Sequence, residues 1–133
     1  MKSIPANFHD LLQEDVKAFL FLGTLMPDGS PQVTPIWFNT DGEHILINSA
    51  KGRIKDRNMR RDPRIALCIH DPANPYRYLQ IRGRIIEITE MGADDHIDAL
   101  MFKYHGERKY PWKRPSEVRV KYIVQIEKVD AHG

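Results

Sequence analysis

The sequence has little of several things, and each shortage excludes a class of protein. Cys68 is the only cysteine among 133 residues, so the chain has no disulfide framework of its own and no zinc site built from several cysteines. A single cysteine is typical of proteins of the reducing cytoplasm, where we expect this protein to reside. No apolar run approaches the roughly 18 residues needed to cross a membrane. The N-terminal segment also lacks the apolar stretch of a secretory signal, so we expect neither a leader nor a membrane anchor.

Net charge is small as well, but its distribution along the chain is uneven. The 20 lysines and arginines exceed the 18 aspartates and glutamates by a formal charge of +2. Segment 51–64 holds seven of the basic residues and two of the acidic ones, so it carries +5 while the remaining chain carries −3. A nucleic-acid-binding protein needs a broad basic surface, and this balance argues against one. Charge concentrated in one short segment indicates a local site for an anion instead.

Alternating polar and apolar residues predict a mainly β protein. At roughly 100–200 residues per domain, residues 1–133 form one domain. Runs rich in β-branched and aromatic residues are separated by turn-forming sequences, and few stretches have helical spacing. We predict strands at 19–26, 31–38, 43–48, 64–70, 76–88 and 118–129, and helices at about 8–17, 53–61 and 89–104. Six mostly antiparallel strands with peripheral helices favour a small closed β-barrel.

Particular residues mark where these elements begin and end. Pro27-Asp28-Gly29-Ser30 and Asn39-Thr40-Asp41-Gly42 are typical of hairpin turns. Gly83, within the fifth strand, predicts a bulge or bend. Asp62-Pro63 ends the second helix, because a residue that precedes proline avoids helical backbone angles. Thr89 is the expected N-cap of the third helix.

The chemically most informative segment, 48–58, runs from a strand end into a helix start. Helix N-termini present free amide donors and a partial positive charge. Asn48 or Ser49 can cap this helix or donate to an anion, and Gly52 lets a ligand approach the backbone. Arg53 offers a planar fork to a phosphate group, and Lys55 offers a point charge. These residues predict a phosphate site at a helix N-terminus, with a solvated basic helix face as the alternative.

Short motifs follow one another in a fixed order along the chain. They are Leu25-x-x-Asp28-Gly29-x-Pro31-Gln32-Val33-Thr34-Pro35-x-Trp37, Ile47-Asn48-Ser49, Arg53-x-Lys55-x-x-Asn58, Arg61-Asp62-Pro63-Arg64 and Asp71-Pro72-x-Asn74-Pro75-x-Arg77-Tyr78-x-x-Ile81-Arg82-Gly83. As an ordered set they resemble the pyridoxamine 5′-phosphate oxidase-like flavin-binding split barrels. Within that group they resemble the deazaflavin-dependent (F420-dependent) reductases. The resemblance extends from about residue 8 to residue 129.

The resemblance implies a six-stranded split barrel that forms a homodimer, with the cofactor in the cleft between the two chains. The cofactor's phosphate would be held after the third strand by Ser49, Lys51, Arg53 and Lys55, next to Asn48. The ring system would lie against the second strand, at Gln32, Val33, Thr34 and Pro35. The fifth strand of the partner subunit would contribute residues around Tyr78 and Gln80. The position of Tyr78 holds a flavin-contacting glutamine in the true oxidases.

The same resemblance implies the cofactor and the class of reaction. The oxidases that make pyridoxal phosphate carry a further C-terminal segment that binds substrate, whereas here Gly133 closely follows the last strand, so we do not expect that reaction. The pattern Lys51-x-Arg53-x-Lys55-x-x-Asn58 resembles the deazaflavin branch. We therefore expect coenzyme F420 and hydride transfer to or from a small organic substrate, such as an electron-poor double bond. The alternatives are an FMN-dependent oxidase or reductase, and a non-catalytic flavin- or haem-binding carrier.

Few residues point to acid–base or metal chemistry. His96 and His105 lack the spacing of metal ligands, so no metal site is predicted. Tyr76, Tyr78 and Tyr104 are candidates to supply a proton or a hydrogen bond to substrate, but the sequence singles out no catalytic residue. Hydride transfer from a flavin-type cofactor needs little from the protein beyond position and electrostatics, so this scarcity agrees with the expected chemistry. We expect Trp37, Phe38 and Trp112 to be core or interface aromatics, and Trp37, near the expected ring, is also a candidate for the wall of a substrate pocket.

Overall fold

The computed structural model describes residues 1–133 and contains one seven-stranded antiparallel sheet with three short helical segments. The strands are β1 (Leu20–Leu25), β2 (Pro31–Ile36), β3 (Phe38–Thr40), β4 (Ile45–Ala50), β5 (Arg64–Asp71), β6 (Asn74–Thr89) and β7 (Arg119–His132). The helices are a 3₁₀-helix at Ala6–Leu12, α1 (Ile54–Arg61) and α2 (Ala93–His105). None of the helices is both long enough and apolar enough to cross a membrane.

The order of the strands shows that the sheet curls back on itself. The strands lie in the order β2-β1-β5-β6-β7-β4-β3, so β2 and β3 are the two edges of the sheet. Only Trp37 separates these edge strands in sequence. Because consecutive Cα atoms are about 3.8 Å apart, the end of β2 and the start of β3 lie within about 8 Å of each other. The two edge strands, β2 and β3, therefore meet, which confirms the predicted split β-barrel.

The strand count differs from the prediction by one, and the difference lies at Trp37. The expected strand 31–38 is two strands that pair with different neighbours. Ile36 is paired with Leu20 of β1, whereas Phe38 is paired with Ile47 of β4. The chain turns from one edge of the sheet to the other between these two residues, and periodicity cannot detect such a change of partner.

The barrel interior and the outer layer have separate apolar clusters. The interior cluster comes from alternate residues of the strands, among them Leu20, Leu22, Ile45, Ile47, Ile65, Leu67, Ile69, Leu79, Ile81, Val120, Tyr122 and Val124. A second, smaller cluster lies on α2, where Ile97, Leu100 and Tyr104 pack with Trp37 and Tyr110. This outer cluster brings α2 against the β2–β3 corner.

Two expectations about helix ends are wrong and one about a glycine is confirmed. The first helix is a 3₁₀-helix that ends at Leu12 rather than an α-helix to residue 17. The α2 N-cap is Gly92, with a φ of 73°, and the Thr89 hydroxyl instead accepts a hydrogen bond from the Met91 amide in the preceding turn (3.1 Å). Gly83 lies at a shift of register between β6 and β7, as predicted.

Candidate functional site

A cavity of about 300 Å³ lies between the β2–β3 corner, the start of α1 and one face of α2. Its wall combines apolar and cationic side chains. The apolar part includes Phe19, Pro35, Trp37, Leu100, Tyr110 and Trp112, and the cationic groups are Arg53, Lys55 and Arg119. A larger open cavity of about 520 Å³ lies on the outer face of β1, β5 and β6, but none of the predicted site residues lines it. The smaller cavity is therefore the candidate site.

Lys55 reaches this cavity from the first turn of α1. Its ammonium nitrogen donates a hydrogen bond of 3.1 Å to the hydroxyl oxygen of Thr34 in β2. Burial, and then the positive charges of Arg53 and Arg119, hold the pKa of Lys55 below its usual 10.5. The three cations are thus close enough to repel one another, and a bound anion would offset that repulsion.

Glu117 links two of these cations at the entrance to β7. One of its carboxylate oxygens accepts a hydrogen bond from Arg53 (3.2 Å), and the other accepts one from Arg119 (3.3 Å). Arg53 is half exposed, whereas Arg119 is almost fully buried. Three cations and one carboxylate leave the cavity with an excess of positive charge, which suits an anionic ligand.

Sequence reasoning missed Arg119. Its Nε donates a hydrogen bond of 2.9 Å to the side-chain oxygen of Asn48, and its guanidinium carbon lies 5.2 Å from the centre of the Tyr110 ring. In the sequence, Arg119 is one polar position in an alternating strand. Only the register, which pairs Arg119 with Ala50 at the end of β4, brings it beside the start of α1. One signal was available in the sequence: Arg119 alternates with the apolar Val120, so it lies on the other face of β7.

The aromatic wall is fixed by contacts among its own rings and with Tyr104 behind it. Trp37 stacks on Tyr104 with ring centres 5.2 Å apart and planes 9° apart, and it meets Tyr110 edge to face. The Tyr104 hydroxyl donates to the Ala18 carbonyl and accepts from the Phe38 amide. Burial raises the pKa of Tyr104. Tyr104 is therefore a support for Trp37, and this contradicts its candidacy as a proton donor.

The predicted phosphate residues divide into two groups. Asn48, Arg53 and Lys55 line the cavity. Lys51 does not line it, and its ammonium group pairs with Glu90 at 3.1 Å. Ser49 lies on the core side of β4, and its buried hydroxyl has no hydrogen-bond partner.

The start of α1 is organised differently from the expectation. Its N-cap is Arg53, and no side chain caps the helix, so the interpretation of Asn48 or Ser49 as a cap is wrong. The Gly52 amide donates to the side chain of Asp56 instead (2.9 Å). The Asp56 carboxylate also accepts a hydrogen bond from the buried Tyr122 hydroxyl (2.6 Å), so it anchors the helix start to the barrel.

The predicted ring residues are also divided between two places. Pro35 lines the cavity and Thr34 contacts Lys55. Gln32 accepts a hydrogen bond of 3.4 Å from Thr24. Val33 is 66% exposed and lies outside the cavity. Tyr78 also lies outside it and stacks on His132, with ring centres 4.8 Å apart.

Comparison with known proteins places this site in a family context. A family model described as Pyridoxamine 5'-phosphate oxidase matches residues 6–130. The solved structure of an F420 reductase is 30% identical, with a TM-score of 0.82, over 96% of this chain and 98% of that one. A conserved hypothetical protein of Mycobacterium tuberculosis is 21% identical, with a TM-score of 0.74, over 97% of this chain and 84% of that one. A Listeria innocua protein provisionally named a pyridoxamine 5'-phosphate oxidase is 19% identical, with a TM-score of 0.69, over 94% of each chain. The last two show a shared fold.

Proposed function

This chain belongs to the pyridoxamine 5′-phosphate oxidase family, and we propose that it uses coenzyme F420 to transfer a hydride to or from a small organic substrate. The family and the similarity to an F420 reductase support an oxidoreductase of the flavin or deazaflavin type. The choice of F420 is supported by that similarity, because it extends over nearly the whole of both chains.

The proposal rests on one observation. Residues predicted to bind two different parts of the cofactor line the same cavity. Lys55, predicted for the phosphate, and Pro35, predicted for the ring, both line it. The hydrogen bond from Lys55 to Thr34 holds the start of α1 against β2. A single bound molecule with an anionic group and an apolar ring can therefore contact both elements.

The residues present fit such a molecule. Burial lowers the pKa of Lys55, and the nearby charges of Arg53 and Arg119 lower it further, so a protonated Lys55 carries a cost in the empty cavity. An anionic group near Arg53, Lys55 and Arg119 would reduce it. The aromatic wall at Trp37 offers an apolar surface with a fixed orientation, which suits a planar ring.

Each residue then has a defined task. Arg53 and Lys55 bind the phosphate through charged hydrogen bonds. Pro35 and Trp37 shelter the ring from water, and Thr34 orients Lys55. A reduced deazaflavin bound here would supply the hydride, which is chemistry of the cofactor rather than of a side chain.

The proposal includes a homodimer in which the second chain completes the site. Tyr78 and Val33 are both predicted to contact the cofactor, yet both lie outside the cavity of their own chain. Both contacts become possible if a second copy covers the exposed outer face of β2. The exposed apolar side chain of Val33 supports an interface on that face.

FMN is the second candidate cofactor, and the family match favours it. FMN also combines a phosphate with a planar ring, so the residues that would bind it are the same. The reaction would remain an oxidation or reduction of a small molecule. The two candidates differ in the cofactor's ring and tail.

The test is a parallel titration of the apoprotein with F420 and with FMN, followed by ligand fluorescence. Tight binding of F420 with weak binding of FMN supports the proposal, and reduced F420 should then be consumed with at least one electron-poor alkene or quinone. Tight binding of FMN alone transfers the function to the FMN branch. Cofactor binding without turnover of any acceptor supports a carrier, and binding of neither overturns the proposal.

A further inference from the structure

We infer that Arg119 is an anion-binding residue of the cavity, held in position by a continuous chain of hydrogen bonds through Asn48 and His96. Its ligand is an anionic oxygen, either of the cofactor's phosphate or of a carboxylate on the substrate. The inference rests on the proposed function for the identity of that ligand and on this chain's own contacts for the role of Arg119.

The direction of the hydrogen bonds around Asn48 is fixed by one carbonyl group. The Asn48 side-chain nitrogen lies 3.0 Å from the Ala93 carbonyl oxygen, which can only accept. The same nitrogen lies 3.1 Å from Nδ1 of His96, so Nδ1 accepts as well. Nε2 of His96 then carries the proton and donates to the side-chain oxygen of Asn39 at 2.8 Å.

This arrangement requires a neutral His96, and its surroundings favour that form. Burial, and then the charges of Lys121 and Arg119, lower the pKa of His96 to about 4. Near pH 7 the ring is therefore a fixed acceptor towards Asn48. Because the amide nitrogen of Asn48 points to His96 and Ala93, its oxygen points to Arg119.

The guanidinium of Arg119 is held at two of its three nitrogens. Nε donates to Asn48 at 2.9 Å and Nη1 donates to Glu117 at 3.3 Å. Nη2 has no hydrogen bond within the chain. It is nevertheless not fully buried, because Ser49 Oγ is the only fully buried side-chain nitrogen or oxygen that lacks a hydrogen bond. Nη2 is therefore the part of this buried side chain that remains accessible. Since Arg119 lines the cavity, a ligand there can reach it.

The neighbours of a purely structural arginine would balance its charge, whereas those of Arg119 do not. Glu117 is shared between Arg119 and Arg53, and Lys55 adds a third positive charge. The hydrogen bonds from Asn48 and Glu117 fix the orientation of the guanidinium before any ligand arrives. A pre-oriented donor loses less conformational entropy on binding than a free side chain.

The first experiment uses the wild-type protein, so it does not depend on a variant that folds. The side-chain signals of ¹⁵N-labelled arginine are followed while inorganic phosphate is added, and in a second series while benzoate is added. We expect the Arg119 signals, assigned by their loss in Arg119→Lys, to move in at least one series, while those of Arg84 on the outer face stay fixed. Movement with phosphate assigns the cofactor's phosphate as the source, movement with benzoate assigns a substrate carboxylate, and no movement in either overturns the inference.

The second experiment compares Arg119→Gln with Lys121→Gln, which removes the same charge from the same face of β7 without lining the cavity. Arg119→Gln should weaken binding of the moving anion, and of whichever of F420 and FMN binds, by about 10- to 100-fold, as expected for a charged hydrogen bond. Lys121→Gln should change it by less than about threefold, as expected for loss of a longer-range charge. Equal binding by wild type and a folded Arg119→Gln would reject the inference while leaving cofactor use intact. Failure of both cofactors to bind, with loss of phosphate binding in Arg119→Gln, would reject the proposed function alone.

Asn48 is a positioning residue in this scheme, and its test needs a signal that stability alone does not change. Asn48→Asp keeps the shape of the side chain but places a carboxylate between His96 and Arg119. The pKa of His96, measured by NMR titration, should rise from about 4, and anion binding should weaken about tenfold because Arg119 is neutralised. An unchanged His96 pKa together with unchanged anion binding would contradict the proposed chain of hydrogen bonds.

Discussion

The ammonium nitrogen of Lys55 lies 3.1 Å from the hydroxyl oxygen of Thr34 and donates a hydrogen bond to it. Lys55 belongs to the start of α1 and Thr34 to an edge strand, so this contact joins two elements that are far apart in sequence. It also places a half-buried charge next to a neutral acceptor rather than a carboxylate. The charge of Lys55 therefore remains available to a ligand.

Replacement of the cationic anchors should weaken cofactor binding. Lys55→Ala and Arg53→Ala should each reduce the affinity for F420, or for FMN if that is the cofactor, by about 1.5–3 kcal/mol, the range for hydrogen bonds to charged groups. The matched control is Arg57→Ala, an exposed cation on α1 that does not line the cavity. Fluorescence titration of the three variants measures the difference, and affinities equal to that of the control would reject the assignment.

Anion binding should depend on pH in the alkaline range. The pKa of Lys55 lies below its usual 10.5 because of burial and the neighbouring Arg53 and Arg119. As the pH rises through that lowered pKa, Lys55 loses its charge, so affinity for an anion falls earlier than ordinary lysine titration would predict. Phenyl phosphate is a suitable probe, because its second ionisation near pH 6 is complete at alkaline pH. Calorimetry at increasing alkaline pH should show the fall in wild type, and a similar fall in Lys55→Ala would exclude Lys55 as its origin.

His96 should make the fold sensitive to acid. Its folded-state pKa is about 4, whereas the ordinary value is 6.5. Between these values the unfolded chain binds more protons than the folded one, so the free energy of unfolding falls as the pH falls. Stability is complete above about pH 6.5, and about 3 kcal/mol is lost by about pH 4.

Urea unfolding at several pH values measures this loss. His96→Gln keeps a hydrogen-bonding side chain but has no proton to gain, so its stability should change less between pH 6.5 and 4 than that of wild type. Its stability at pH 7 is expected to be lower, because the hydrogen bonds to Asn48 and Asn39 are disturbed. Parallel pH profiles for the two proteins would show that the acid sensitivity originates elsewhere.

Gly83 should be intolerant of a side chain. A Cβ atom at this position would lie 2.6 Å from the carbonyl oxygen of Gln125 and 3.2 Å from a side-chain carbon of Val124. Gly83→Ala therefore forces the β6 and β7 backbones apart, and we expect a loss of about 1–3 kcal/mol, typical of overpacking. Arg82→Ala, at the exposed neighbouring position, is the control. Equal denaturation midpoints for the two variants would contradict the close approach of the strands.

The chain should have a native mass of twice 15.5 kDa, which light scattering after size exclusion can measure. Val33→Asp places a charge on the exposed face of β2 and should shift the protein towards a monomer with reduced cofactor affinity. Met91→Asp, at a still more exposed apolar residue in the turn before α2, should leave the mass unchanged. A wild-type monomer at micromolar concentration would refute the homodimer.

Local signals in the sequence were enough to predict most of the fold. The Pro27–Ser30 segment is a turn between two paired strands, as predicted. The predicted turn Asn39–Gly42 begins too early, because Asn39 and Thr40 belong to β3 and the connection to β4 starts at Asp41. Helix α1 was predictable from the basic segment, because Pro63 marks where the helix must stop. By contrast, Thr89 has the chemistry of an N-cap and still caps nothing, because Gly92 in a left-handed conformation turns the chain into α2 instead.

The site was only partly predictable, since much of it depends on strand register. Arg53 and Lys55 were identifiable because they belong to a charged helix start. Arg119 was not, because the pairing of β7 with β4 is what brings it to the cavity, and its partner Glu117 was missed with it. Asn48 faces the cavity and Ser49 faces the core, because neighbouring residues of β4 point to opposite faces. Which face holds the cavity depends on where α2 covers the strand.

The single-residue connection at Trp37 also has a consequence for how the chain reaches its native state. The β1–β2 hairpin and the β3–β4 pair form from neighbouring residues, but they dock on opposite edges of a sheet whose centre is β5, β6 and β7. Trp37 keeps the two edge strands together throughout, so the barrel closes where strands distant in sequence pair, such as β1 with β5 and β4 with β7, and such pairings are slow to form. We expect docking of both hairpins on the central strands, which closes the barrel around Trp37, to be a late folding event. Because Trp37 is also part of the cavity wall, a chain that has not closed has secondary structure but no complete binding site.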